Sequence, residues 1–360
     1  MGDADNWADR LHERAAAPAL CVAVADARGE VLWQAARGMA DIELGVAAQP
    51  GHSFRVGSVS KVVTATLAAR LAVRDGLDLD APIAYWLPDL PPHHRKTTLR
   101  QLLTHRGGVR HYLPKDLDPR QPGGPLFSRP HWTAEDILAA FIDDPLVGPP
   151  GGAVQYSSWG YSLASLALQA AAGGPFLELV ESEIARSFGL PTLVPDIPGK
   201  VVPGRVRGYA GRDELERLRG QFPDAGFAAV TDDWVNAPPL NPAYCWAGAG
   251  FLMSAPDMAR FGAAQLEGPG SRITAAERAL QFTPVTEKCD ASPPLGLGWR
   301  VDADERGRLR WHHAGATPGG RAGLVVYPAE GLAVAILANT MTASGDVLGP
   351  AAELADIFTP

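Results

Sequence analysis

Two short apolar runs near the start of the chain have the pattern of paired β-strands. The first run covers residues 19–25 and the second covers residues 30–36, and a short link from Asp26 to Gly29 separates them. An acidic residue and a glycine in a short link between two apolar runs are typical of a tight turn. The pattern therefore predicts an antiparallel β-hairpin in this part of the chain.

Similar apolar runs recur near the other end of the chain. Residues 323–327 and 332–338 flank a turn that ends at Gly331, and a further pair of runs lies around Trp299 and Trp311. Links that contain glycine again favour hairpins. We therefore expect one antiparallel sheet that takes its strands from both ends of the chain.

Helical spacing of apolar residues dominates the middle of the chain, from Ser58 to about residue 190. Thr133 and Asp136 have the spacing of a capping box, which predicts a helix that begins there and continues to Phe141. Another helix is predicted over residues 161–172, because apolar positions recur there at helical intervals until a glycine follows.

Together these elements predict an α/β fold in which helices flank an antiparallel sheet and an all-helical lobe is inserted. We expect residues 1–75 and 245–360 to form the α/β domain and residues 76–244 to form the helical lobe with long loops. The stretch from about residue 192 to 245 is rich in proline, glycine and charge, which favours surface loops. An active site is expected in the cleft between the two parts.

The composition and the charge restrict the partners. The 360 residues are 46% hydrophobic, which is enough for a sizeable core, and the formal net charge is -8. An acidic chain without a broad basic surface does not favour binding to nucleic acid or to an anionic membrane. We therefore expect a small-molecule or peptide substrate as the partner, and the sequence leaves the oligomeric state open.

The N-terminal residues and the cysteines bear on the compartment. Asp3 and Asp5 stand where a signal peptide would carry positive charge, and the long apolar stretches elsewhere are interrupted by glycine, proline or charge. We therefore expect a cytoplasmic protein without a membrane span. Cys21, Cys245 and Cys289 are far apart and odd in number, so reduced thiols are expected rather than a zinc site or a disulfide framework.

A serine and a lysine mark the beginning of the first long helix in the middle of the chain. Ser58 precedes an apolar helical run over residues 62–73 that Gly76 ends, and Lys61 follows Ser58 by three positions. At this spacing the two side chains share one helix face, and the helix N-terminus favours an anion at Ser58. A neutral lysine can take the proton of a serine, whereas arginine cannot. The alternative interpretation is a capped helix that carries a solvated lysine.

The Ser-x-x-Lys pattern of Ser58 and Lys61 resembles that of the serine beta-lactamases, DD-peptidases and related esterases. Two further segments strengthen this resemblance. Tyr156 is followed two positions later by Ser158, which is similar to the Tyr-x-Asn element of that family with serine in place of asparagine. Residues 313–315 are similar to its third element in the His-x-Gly form.

The resemblance implies catalytic roles for Ser58, Lys61 and Tyr156. Ser58 would attack the substrate and Lys61 would act as the base. A phenol keeps its proton near neutral pH, but Lys61 would stabilise its anion, so Tyr156 would relay the proton to the leaving group. The other interpretation of Tyr156 is a buried aromatic side chain that is hydrogen-bonded in a loop. The backbone amides of Ser58 and Ala316 would form the oxyanion hole.

The same resemblance implies that Ser158, His313 and Gly315 contact the substrate. Ser158 is shorter than asparagine and lacks its amide group, which alters how the site would hold a substrate amide. His313 would contact the tyrosine or a substrate carboxylate, as a weaker and pH-dependent cation than lysine. Its other interpretation is a strand histidine bonded to the backbone. At Gly315 the missing side chain would let an edge strand approach the substrate closely.

Two more segments resemble one branch of this family. Residues 98–112 and 244–252 look like the branch that contains the mitochondrial serine beta-lactamase-like protein, which favours peptide or ester substrates over antibiotics. Within these segments, His105, His111 and Trp246 are expected to shape the cleft rather than to perform chemistry.

The sequence thus predicts a serine hydrolase that cleaves small amide, peptide or ester substrates through an acyl-enzyme on Ser58, as a peptidase, an esterase or a weak beta-lactamase. The serine in the second element and the histidine in the third favour an esterase slightly. No cofactor or metal is expected, because the acidic residues Asp75, Asp78 and Asp80 lack the spacing and the glycine of a calcium loop. The alternative is a scaffold or filament-forming protein that keeps the fold but has little activity.

Overall fold

An antiparallel sheet of seven strands is built from both ends of the chain, as the apolar runs predicted. The computed structural model describes residues 2–117, 132–212, 216, 233–286, 293–343 and 346–359. Its strands are β1 (Ala19–Asp26), β2 (Val31–Asp41), β3 (Val46–Ala47), β4 (Phe54–Arg55), β5 (Val194–Pro195), β6 (Tyr209–Gly211), β7 (Trp234–Asn236), β8 (Phe251–Met253), β9 (Arg300–Ala303), β10 (Leu309–Thr317), β11 (Gly320–Tyr327) and β12 (Leu332–Ala338). The large sheet has the order β3-β2-β1-β12-β11-β10-β9, so the first and last long strands are neighbours.

Helices cover both faces of this sheet and make up much of the inserted part. They are α1 (Gly2–Ala15), α2 (Ser60–Asp75), α3 (Leu99–Leu103), α4 (Pro114–Leu117), α5 (Ala134–Ala139), α6 (Ser158–Ala172), α7 (Phe176–Val180), α8 (Trp246–Ala249), α9 (Ala255–Ala263), α10 (Ala275–Phe282) and α11 (Leu348–Phe358). Short 3-10 turns cover Gly57–Val59, Ile83–Tyr85 and Pro242–Cys245, and a π-helical segment covers Glu181–Arg186.

Side chains along β1 alternate between two apolar cores. Cys21 and Ala23 face the core that contains α2 and α9. Leu20 and Val22 face a second core, which α1 and α11 complete. Because both faces of the strand are covered, its sequence is a continuous apolar run rather than an alternating pattern.

Two predicted helices of the inserted part were confirmed, one most closely at its start and the other at its end. Thr133 and Asp136 form the predicted capping box, in which each side chain accepts a hydrogen bond from the backbone of the other. The helix α5 ends before the predicted Phe141, because the last turn tightens and the N–H of Phe141 donates to the carbonyl of Leu138. Gly173 ends α6 with a φ of 69°, the left-handed conformation that glycine adopts without strain.

The inserted part is not entirely helical. The strand β5 joins a three-stranded sheet of order β4-β8-β5, and β6 pairs with β7. These strands are two or three residues long, which is too short for an alternating pattern, so the sequence predicted only loops there. The small sheet matters for function because β4 leads directly to Ser58.

In the part of the chain that the structure describes, no single helix is long and apolar enough to cross a bilayer, and only the pair Ser158–Ala172 and Phe176–Arg186, bent by 81°, meets these criteria jointly. Cys21 and Cys245 are buried free thiols. Cys289 lies outside the described residues.

Candidate active site

Ser58 lies in a tight turn immediately before a long helix. The strand β4 leads into the 3-10 turn Gly57–Val59, and α2 follows. Gly57 has a φ of 49°, and a Cβ atom at this position would lie 2.8 Å from the backbone nitrogen of Ala316. Glycine is therefore required before Ser58, whose side chain is presented half-buried at the start of the helix.

Two side chains reach the hydroxyl group of Ser58. Lys61 Nζ lies 3.1 Å from Ser58 Oγ, and Tyr156 Oη lies 2.7 Å from the same oxygen. Lys61 belongs to the first turn of α2, whereas Tyr156 precedes α6. The fold thus brings the three predicted catalytic side chains within hydrogen-bonding distance.

Lys61 is completely buried, with 0% of its surface exposed. Besides its contact with Ser58, its Nζ atom donates to the carbonyl oxygen of Gly248 at 2.8 Å and contacts Ser158 Oγ at 3.3 Å. The oxygen atoms of Ser58, Gly248 and Ser158 together hold the amine of Lys61 in place. The contact with Gly248 was not predictable from the sequence, because a backbone carbonyl leaves no side-chain signal.

The phenol of Tyr156 loses its proton more easily than that of an ordinary tyrosine. Burial raises the pKa of this group, but the charge on Lys61, hydrogen bonds with Lys61 and Ser58, and the charge on Arg300 outweigh burial and lower the pKa below 10.0. Lys61 Nζ also lies 4.8 Å from the centre of the Tyr156 ring. The Tyr156 oxygen can therefore carry a negative charge beside Lys61.

Arg300 is a second cation of the site that the sequence analysis missed. It is the first residue of β9, and together with burial its charge also lowers the pKa of His105 and of His313. An arginine at a sheet edge belongs to no motif. Its effect on these pKa values is therefore known only from the fold, which places β9 near the site.

Ser158 lies beside Lys61 at the start of α6 and is only 4% exposed. Its Oγ atom is 3.3 Å from Lys61 Nζ, and its backbone N–H donates to His111 Nδ1 at 3.2 Å. The structure therefore places this residue against Lys61. Its contact with a substrate stays a prediction.

His313 is buried in β10, with 2% of its surface exposed. Its Nδ1 atom lies 2.7 Å from the carbonyl oxygen of Ala314, to which it donates. Burial lowers the pKa of the imidazole well below 6.5, and the charges on Arg300 and Lys61 lower it further. The ring is therefore neutral near pH 7, and its contact with the tyrosine or with a substrate carboxylate stays a prediction.

Gly315 brings β10 against the backbone that leads to Ser58. A Cβ atom at Gly315 would lie 2.0 Å from the carbonyl oxygen of Val56 and 2.9 Å from the nitrogen of Ser58. The missing side chain thus permits contact between two backbone segments, and the predicted approach of this strand to the substrate stays a prediction. The backbone contact places Ala316 next to Ser58.

The N–H group of Ala316 is not used in the pairing of β10 with β11. A two-residue turn joins β10 to β11, and Thr317 pairs with Gly320 across it. The pair that closes such a turn is hydrogen-bonded and successive pairs alternate, so the pair of Ala316 and Arg321 is not hydrogen-bonded. The backbone nitrogen of Ala316 also lies against the turn that carries Ser58. Its role with the Ser58 amide in an oxyanion hole stays a prediction.

The acidic residues considered for a cation site are partly engaged in ion pairs. Asp75 pairs with Arg74, and Asp80 pairs with Arg100. Among the residues that the structure describes, no group of three or more His, Cys, Asp or Glu side chains is arranged to bind a metal ion.

Comparison with known proteins found a matching family model and similar sequences. Residues 4–357 match the model of the family described as Beta-lactamase. The mitochondrial serine beta-lactamase-like protein of Homo sapiens is 26% identical over 72% of this chain and 55% of its own length. Esterase EstB of Burkholderia gladioli is 28% identical over 91% of this chain and 87% of its own length. The chain thus spans about half the length of the mitochondrial relative.

A solved structure shares the fold over nearly the whole chain. The D-stereospecific amidohydrolase from Streptomyces sp. has a TM-score of 0.76 at 22% identity, and the match covers 98% of this chain and 97% of that one. This likeness confirms the predicted α/β fold, in which helices flank an antiparallel sheet.

Proposed function

The chain belongs to the beta-lactamase family, and we propose that it is a serine hydrolase whose acyl-enzyme forms on Ser58. The observation that carries the proposal is the pair of contacts to Ser58 Oγ, 2.7 Å from Tyr156 Oη and 3.1 Å from Lys61 Nζ. A serine hydroxyl is a weak nucleophile until a neighbouring group takes its proton. Both neighbours here are suited to that task.

In the acylation step, Ser58 Oγ attacks the carbonyl carbon of the substrate and its proton passes to the oxygen of Tyr156, which reacts in its anionic form. The amides of Ser58 and Ala316 stabilise the resulting oxyanion. Tyr156 then donates the proton to the leaving alcohol or amine as the bond to the carbonyl carbon breaks. We assign the proton to Tyr156 rather than to Lys61, because its oxygen is nearer to Ser58 and because Lys61 already donates to Gly248.

In the deacylation step, water replaces the leaving group. Within the described part of the chain, no carboxylate is hydrogen-bonded to Ser58, Lys61 or Tyr156. We therefore assign the activation of water to Tyr156 as well. The Tyr156 oxygen takes a proton from the water while the water oxygen bonds to the acyl carbon. The ester bond to Ser58 Oγ then breaks, the carboxylic acid leaves, and the proton passes from Tyr156 to Ser58 Oγ.

Short-chain esters and small amides are the proposed substrates, with esters cleaved faster. Among the similar proteins, one is named an esterase and another an amidohydrolase. Ser158 does not provide the amide group of an asparagine, and the neutral His313 does not provide a cation for a carboxylate. A simple ester depends least on these two contacts, because it has neither an amide N–H nor a carboxylate for them to bind.

Rapid-mixing kinetics with p-nitrophenyl acetate test this proposal. We expect a burst of about one equivalent of p-nitrophenol per active site, followed by slower turnover. A panel of short-chain esters, D-amino acid amides, D-Ala-terminated peptides and nitrocefin should give the highest kcat/KM for the esters and the lowest for nitrocefin. Faster cleavage of nitrocefin than of any ester would contradict the substrate proposal, and absence of turnover with every class would contradict the function.

A further inference from the structure

Two histidines, His105 and His111, bind the segment that carries Tyr156. The carbonyl oxygen of His105 accepts a hydrogen bond from the backbone nitrogen of Gln155 at 2.8 Å. Its Nδ1 atom accepts from the backbone nitrogen of Ser157 at 3.2 Å. The residues immediately before and after Tyr156 are therefore both bonded to one histidine.

His111 adds a third contact of the same kind. Its Nδ1 atom accepts from the backbone nitrogen of Ser158 at 3.2 Å. The ring of His105 lies 4.4 Å from the Tyr156 ring at an angle of 38°, and the ring of His111 lies 5.3 Å from it at 82°. Both imidazoles thus touch the phenol ring and also bind a backbone amide next to it.

Both imidazoles must be neutral to form these hydrogen bonds. A ring nitrogen that accepts an N–H carries no proton, so the hydrogen of each ring is on Nε2. Burial lowers the pKa of His105 well below 6.5, and the charge on Lys61 lowers it further. His111 is exposed, yet desolvation and the charge on Lys61 lower its pKa to about 4. The acceptors are therefore available throughout the neutral range.

The backbone of His105 is also unusual. Its φ of 56° lies in the left-handed region, which residues other than glycine rarely adopt. In this conformation His105 binds Gln155 through its carbonyl group and Ser157 through its ring. One residue thus holds the chain on both sides of Tyr156. A backbone conformation that is unfavourable for residues other than glycine, next to Tyr156, favours a functional explanation over simple packing.

We propose that His105 and His111 are positioning residues, whose Nδ1 atoms fix the backbone next to Tyr156 and so hold its phenol within reach of Ser58. This inference rests on the proposed function of the Ser58 site and goes beyond the expectation that the two histidines only shape the cleft. Neither histidine transfers a proton in the reaction. Their contribution is to the geometry of Tyr156.

Substitutions at His111 separate the acceptor from the ring. His111→Phe keeps a ring beside Tyr156 but has no acceptor, whereas His111→Asn keeps an acceptor near the position of Nδ1 without the ring. We expect the phenylalanine variant to lower the single-turnover acylation rate constant about 10-fold to 100-fold, with little change in the ester concentration that gives half the maximal rate. The asparagine variant should recover most of the rate.

His52 provides a matched control, and His105 provides a second pair of variants. His52, in the loop before β4, also accepts a backbone N–H at Nδ1, from Gln49 at 3.3 Å. This bond does not involve the segment that carries Tyr156, so His52→Phe should leave acylation unchanged. At His105, asparagine tolerates the left-handed conformation and supplies an acceptor, so His105→Asn should retain more activity than His105→Phe.

Hydrogen–deuterium exchange, read by mass spectrometry on a peptide that spans residues 155–158, detects the same contacts without the reaction. We expect faster exchange in the phenylalanine variants of His105 and His111 and unchanged exchange in His52→Phe. Unchanged acylation and exchange in folded His111→Phe would overturn the proposal, as would equal slowing by His111→Phe and His111→Asn. If the wild-type protein does not acylate at Ser58, the proposed function fails, and the exchange rates then decide whether the histidines fix this segment.

Discussion

Lys61→Met is expected to slow the acylation of Ser58 by an activated ester about 100-fold or more. Methionine has nearly the length of lysine but carries no charge and donates no hydrogen bond. Without that charge, burial dominates the pKa of Tyr156 and raises it. The phenol then keeps its proton, and Ser58 loses its acceptor.

Single-turnover kinetics with p-nitrophenyl acetate measure this rate constant directly. The exposed Lys96 offers a matched control, since Lys96→Met makes the same chemical change away from the described contacts of Ser58. An apolar side chain of similar size in place of a buried charge should preserve folding, which circular dichroism and Tm can check. A folded Lys61→Met variant that acylates within about twofold of wild type would remove Lys61 from the mechanism.

Tyr156→Phe should cause a loss of similar size, about 100-fold or more, because it removes the group that accepts and donates the proton. The pH dependence makes this prediction specific. Since the pKa of Tyr156 lies below 10.0, its anion forms at a lower pH than in an ordinary tyrosine, and the acylation rate should rise with pH through that pKa. In Lys61→Met the midpoint should move to higher pH, and in Tyr156→Phe this rise should be missing.

The exposed Tyr85 supplies the control for this experiment. Its side chain is 81% exposed, so Tyr85→Phe should leave both the rate and the pH profile unchanged. If Tyr156→Phe retained the same rise with the same midpoint, another group would be responsible for the ionisation. That result would return the role of base to Lys61.

The large sheet was predictable because burial leaves a strong signal in sequence. The strands β1 and β12 are covered on both faces, so each is an apolar run that glycine-containing turns delimit. The strands β5, β6 and β7 were missed, because two or three residues are too few for a period to appear. Their pairing depends on contacts with other parts of the chain.

The active site was predictable to the extent that it depends on local spacing. Ser58 and Lys61 are three positions apart on one turn of helix, so their contact follows from helix geometry. Tyr156 required the resemblance to a family, because 98 positions separate it from Ser58. Gly248 acts through its backbone and Arg300 acts from another strand, so neither leaves a motif.

The third motif shows a further limit of sequence patterns. The pattern identified the residue type at 313 but not its burial, and burial makes His313 neutral rather than cationic. It identified the need for glycine at 315 but not the contact that requires it, which is the backbone of Val56 and Ser58. Such details depend on which segments approach one another in the fold.

Mass spectrometry of the intact and proteolysed protein after treatment with a fluorophosphonate shows whether Ser58 is the nucleophile. We expect one added phosphonyl group, located on Ser58, in the wild-type protein and none at that position in Ser58→Ala. Correctly folded wild-type protein that takes up no label, or takes it up at another residue, would rule out the proposed role of Ser58 and would favour a scaffold that keeps the fold without its chemistry.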